Sequence, residues 1–115
     1  MDVQIFGHKK DPDTRKALRF FAERRVKTHF VDFAERDPAL GELKRFAQKF
    51  GVEALIDRAG KRFAERGLGP ARYGDERWLA MLCEDPWLLR VPLVRFQHQL
   101  TVGLQEATWK QWCGK

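Results

Sequence analysis

Alternation and helical spacing divide the chain into elements before any chemistry is considered. Val3-Gln4-Ile5-Phe6 reads as a first strand, and Gly7-His8-Lys9-Lys10 as a turn. A helix then runs from about Pro12 to Arg25, with Ala17, Leu18, Phe21 and Ala22 as its apolar stripe and Phe20 alongside. Asp11 is a good N-cap for it, and Pro12 fits the first helical position. Val26, Thr28, Phe30 and Asp32 alternate with Lys27, His29 and Val31, which predicts a second strand over Val26–Asp32. A helix joining two strands in so short a span is a βαβ unit, so these strands should be parallel.

The middle of the chain reads as helical. Asp37-Pro38 repeats the cap-then-proline start, Leu40, Leu43, Phe46, Ala47 and Phe50 form a stripe, and Gly51 closes it. Ala54-Leu55-Ile56 is a short apolar segment. A brief helical turn near Lys61–Arg66 leads to the loop Gly67-Leu68-Gly69-Pro70. Asp75 should cap a helix carrying Trp78, Leu79, Leu82 and Cys83, and Asp85-Pro86 marks its end. The last third reads as a hairpin, Pro92–Phe96 and Leu100–Gly103 around Gln97-His98-Gln99, followed by a closing helix at about Gln105–Trp112. The four tryptophans, Trp78, Trp87, Trp109 and Trp112, read as core and rim packing.

The order is βαβ, several helices, then ββα. It predicts an α/β protein with a four-stranded mixed sheet flanked by helices, the thioredoxin-like order with a helical insertion at about 37–86. All of it fits one domain, residues 1–115, long enough to bury a modest core. No apolar run approaches the roughly 18 residues of a membrane span, and Met1 leads straight into strand-like residues. The chain is read as cytoplasmic, with no membrane partner.

Charge changes the picture little. The net charge is +6, but Lys and Arg are interleaved with Asp and Glu, the pattern of solvated helix faces. No stripe is localised that would predict direct nucleic-acid binding. Cys83 and Cys113 are the only cysteines and form no Cys-x-x-Cys. Cys83 lies among apolar residues and should be buried, and Cys113, near the end of a helix, should be the more reactive thiol. His29 and His98 have no partner at metal-ligand spacing, and no glycine-rich phosphate loop is present, so neither metal nor cofactor is expected.

Four stretches resemble one family. They are Ile5-Phe6-Gly7-His8-Lys9-Lys10-Asp11-Pro12-Asp13-Thr14-Arg15-Lys16-Ala17, Phe30-Val31-Asp32-Phe33, Leu89-Arg90-Val91-Pro92-Leu93-Val94 and Val102-Gly103-Leu104. In this order and spacing they are similar to the arsenate-reductase-like (ArsC/Spx/YffB) proteins, glutaredoxin-like members of the thioredoxin fold. The resemblance implies a cis Val91–Pro92 bond beside the first loop. It also aligns the family's nucleophilic cysteine with Asp11 and its second redox position with Thr14. The arginine that precedes the proline in the family is Val91 here.

These departures remove the redox chemistry the family carries. A thiolate at a helix N-terminus is stabilised by free N–H groups and the helix dipole. Asp11 would use the same groups as a cap, or would serve in binding, and a carboxylate cannot form a mixed disulfide. His8, Lys9 and Lys10 are either exposed loop residues or a positive rim for an anion. Arg15 could join them. Arg90, Val91, Pro92 and Arg95 are the remaining candidate binding residues. The expectation is a non-catalytic binding or regulatory module, of the branch that binds RNA polymerase and regulates transcription or of a nitrogenase-associated type. The alternative is a reductase or transferase using an external thiol such as glutathione at the Pro92 groove, or Cys113.

Overall fold

A computed structural model describes residues Met1–Gly114. The chain forms two compact units. One comprises Met1–Arg36 and the segment from Val91 onward, and the other is Asp37–Arg90.

The first unit holds the sheet. Strands β1 (Asp2–Gly7), β2 (Lys27–Asp32), β3 (Leu93–Phe96) and β4 (Gln99–Val102) lie in the order β2-β1-β3-β4. β1 and β2 are parallel, in register from Asp2↔Lys27 to Gly7↔Asp32. β3 is antiparallel to both β1 and β4, so the sheet is mixed, as predicted. Helix α1 (Pro12–Glu23) makes the β1-to-β2 crossover. The period-2 pattern of β1 and β3 sends Val3, Ile5 and Val94 to one face, where they meet Ala17, Phe20 and Phe21 of α1 and Trp109. Trp109 is fully buried and its indole N–H donates to Thr101 Oγ1 at 2.8 Å.

The second unit is helical: α2 (Leu40–Phe50), a 3-10 turn at Val52–Leu55, α3 (Lys61–Glu65), α4 (Asp75–Glu84) and a second 3-10 turn at Pro86–Leu88. Leu43, Phe46, Leu55, Leu82 and Leu88 are fully buried in it. Asp85 is buried as well and accepts from Arg62 Nε at 2.7 Å and Arg66 Nη1 at 3.1 Å, which ties the end of α4 to α3. The last helix, α5 (Glu106–Gly114), returns to the first unit.

Several local expectations are corrected. Asp37-Pro38 does not start α2: the chain stays extended through Ala39, which makes no side-chain cap bond, while Pro38 is buried. Leu40 and Phe50, at the two ends of α2, are 45% and 38% exposed and lie outside its buried stripe. Asp75 is the first residue of α4 rather than its cap, and Gly74 precedes it. The hairpin turn is tighter than expected, because Gln99 pairs with Phe96 and only Gln97-His98 lie between the strands. Gln97 takes φ 56°, the positive value a tight hairpin asks of its first central residue. α1 stops at Glu23, and Arg25 turns the chain at φ 59°. Of the tryptophans, Trp78 and Trp109 are core, Trp112 packs half-buried on Phe96, and Trp87 is 45% exposed.

Candidate functional site: the N-terminus of α1

The loop between β1 and α1 is closed by a backbone turn in which the Asp11 N–H donates to His8 C=O at 2.9 Å. Asp11 has extended backbone angles and is the N-cap of α1, with Pro12 at the first helical position. Its Oδ2 accepts from the Thr14 backbone N–H at 2.7 Å and from the Thr14 hydroxyl at 2.9 Å. The carboxylate therefore satisfies one of the backbone donors that a helix N-terminus leaves open, and locks a side chain beside it. Thr14 is fully buried. Asp11 is the cap the sequence predicts, and Thr14, which completes it, stands at the matching Asp-x-x-Thr spacing without having been expected there.

Gly7 explains how the helix comes so close to the strand. A Cβ there would collide with Thr14 Oγ1 and lie 2.9 Å from Thr14 Cγ2. The first turn of α1 therefore rests directly on the end of β1, which only glycine permits. At the same end of the sheet, Phe6↔Leu93 pairing brings Pro92 level with Gly7. The Val91–Pro92 peptide is cis, as the resemblance implies. Pro92 is buried, and its C=O accepts from the Gly103 N–H at 2.8 Å.

The candidate binding residues are only partly brought together. Lys9 and Lys10 are exposed on the loop. His8 is not part of an exposed rim: it is 3% exposed and sits edge-on to Phe33, ring centres 5.8 Å apart. Arg15 folds back instead of pointing to an anion, its Nη1 donating to the carbonyls of Lys9 at 3.2 Å and Lys10 at 3.1 Å. Arg95 lies further along β3 and is engaged by Gln97 C=O at 3.1 Å and Gln4 Oε1 at 3.4 Å. Val91 is half-buried at the start of the sheet-bearing segment. Arg90 is exposed and belongs to the helical unit, where its N–H donates to Leu55 C=O at 2.8 Å.

No thiol stands at this helix N-terminus. Cys83 lies in the helical unit, where burial first, and then Asp37 and Glu84, push its thiol pKa up. Cys113 is half-buried and lies with Arg24, Arg25 and Val26 at the far end of α1. A helix of 12 residues spans about 18 Å, so the length of α1 separates the end where Cys113 lies from Asp11. Among the described residues no cluster of His, Cys, Asp and Glu could hold a metal ion, and no helix is long and apolar enough to cross a membrane.

The sheet order, the parallel βαβ start, the helical segment before β3 and the cis proline beside the first loop define a thioredoxin-like protein. Residues 6–112 match the model of the ArsC family, and the chain belongs to that family. YusI of Bacillus subtilis (strain 168) is 24% identical over 115 residues, covering 96% of this chain and 98% of its own. Among solved structures, an arsenate reductase from Vibrio cholerae superposes with TM-score 0.81 at 25% identity, covering 94% of both chains. The YFFB protein superposes with TM-score 0.87 at 18% identity, covering 95% of this chain and 96% of that one, a likeness of fold.

Proposed function

We propose that this protein is a non-catalytic member of the ArsC family that acts as a protein-binding or regulatory module. The observation that carries the reading is the Asp11 carboxylate bonded to both the N–H and the hydroxyl of Thr14. A carboxylate in that place stabilises the helix but cannot attack a disulfide or form a mixed disulfide, and its charge repels oxyanions and the carboxylates of glutathione. The distance of Cys113 from the loop supports the same reading. The partner proposed is a protein such as RNA polymerase, the one the family resemblance suggests, meeting the loop at Lys9, Lys10 and the Pro92 edge.

The test has two arms. Arsenate reduction coupled to glutathione, and disulfide reduction coupled to thioredoxin, should not exceed the protein-free blank. Turnover in the native chain that persists in Cys83→Ser/Cys113→Ser, or that disappears with Cys113→Ser alone, overturns the non-catalytic reading. Purified RNA polymerase retained by the immobilised chain, and released by Lys9→Glu/Lys10→Glu, supports the partner. Absence of retention removes that partner.

A further inference from the structure

At the end of α1 remote from Asp11 lies an open cavity of about 520 Å³ lined by Arg24, Arg25, Val26, Lys110 and Cys113, with Met1 and Gly114 completing its wall. This is within the roughly 300–1,000 Å³ of small-molecule sites. Arg24 is held in place: its Nη1 donates to Phe20 C=O at 3.1 Å, and its guanidinium carbon sits 3.7 Å above the centre of the Phe20 ring. Arg25 occupies the left-handed region at φ 59°, where glycine or asparagine is the usual choice at a helix end. Among the described residues Arg24, Arg25 and Lys110 ion-pair with no carboxylate. The C-termini of α1 and α5 each bring roughly half a negative charge, which offsets about one of these cations. Among the described lining residues the positive charge of Arg24, Arg25 and Lys110 still outweighs the two helix ends.

That charge, on a local concavity with an apolar wall from Val26, matches a doubly charged phosphate better than a single carboxylate. Arginine forks suit phosphate oxygens geometrically. The three cations line one local hollow, which offers a nucleic-acid backbone no extended track. We propose that this cavity binds a small phosphorylated molecule, its phosphate held by Arg24, Arg25 and Lys110.

Cys113, half-buried in the wall, reports on occupancy. In a Cys83→Ser background, labelling of Cys113 by the dianionic Ellman reagent and by neutral iodoacetamide is followed with and without pyrophosphate. Pyrophosphate should slow both labels several-fold more than sodium chloride of equal ionic strength, and Arg24→Gln/Lys110→Gln should abolish the protection. The ratio of anionic to neutral labelling rates should fall roughly two- to fivefold in Lys110→Gln, the effect of one nearby charge in water. Lys110 is exposed, so this single variant keeps the test open if the double variant does not fold. Labelling indifferent to millimolar pyrophosphate, protection that survives the double variant, or stronger protection by a short single-stranded DNA would each overturn the proposal.

Discussion

Asp11 and Thr14 act as one unit, and single changes there separate structure from chemistry. Asp11→Ala should cost about 1 kcal/mol, the ordinary size of a lost N-cap, read as a lower urea midpoint with unchanged slope. A variant as stable as the parent would show that the carboxylate is not a cap. Cys83 makes a pH-dependent prediction. Burial raises its folded-state pKa above the unfolded value of about 8.5, so both states hold the proton at neutral pH. Above pH 8.5 the unfolded state ionises first and stability falls until the folded thiol also titrates. Urea midpoints should therefore drop between pH 8 and 10 in the native chain, and the drop should be smaller in Cys83→Ser.

Which elements were legible in the sequence follows from where their determinants lie. α1 was legible because its start is local: Asp11, Pro12 and an apolar stripe lie within a few turns of one another. The same Asp-Pro signal failed at α2, where Pro38 is buried and the helix begins after Ala39. Position 75 failed similarly, since an acidic residue serves a helix in its first turn as readily as at its cap. The ties of Asp85 to Arg62 and Arg66 were hidden, because they join residues 23 and 19 positions apart. Arg95 is near the pre-proline position in sequence, yet it bonds Gln97 C=O and, across the sheet, Gln4, 91 positions away. α5 depends on another such tie. Thr101→Val leaves the buried Trp109 indole N–H without its acceptor and should cost about 1–3 kcal/mol in urea unfolding, whereas a substitution at an exposed position of the same helix, such as Gln111→Ala, should change little.

At the scale of the molecule, fold and chemistry separate. The element order along the chain, the parallel crossover and the mixed sheet were readable from period and spacing, and the family resemblance ran through the same residues. The candidate site was readable only in part. Asp11, Thr14 and Pro92 lie where the motifs put them, but His8 is buried, Arg15 braces its own loop and Arg95 points elsewhere. A sequence shows which charges are near a loop in the chain; it does not show which are already bonded. The central claim is that the N-terminus of α1 keeps the electrostatics of a thiolate site while Asp11 fills it as a cap. Its most direct test is the thiolate absorbance at 240 nm of Asp11→Cys, followed against pH in a Cys83→Ser/Cys113→Ser background. The account predicts a thiol pKa at or below about 7.5, the range of cysteines at helix N-termini. A value of about 8.5 or above, that of an ordinary thiol, would contradict it.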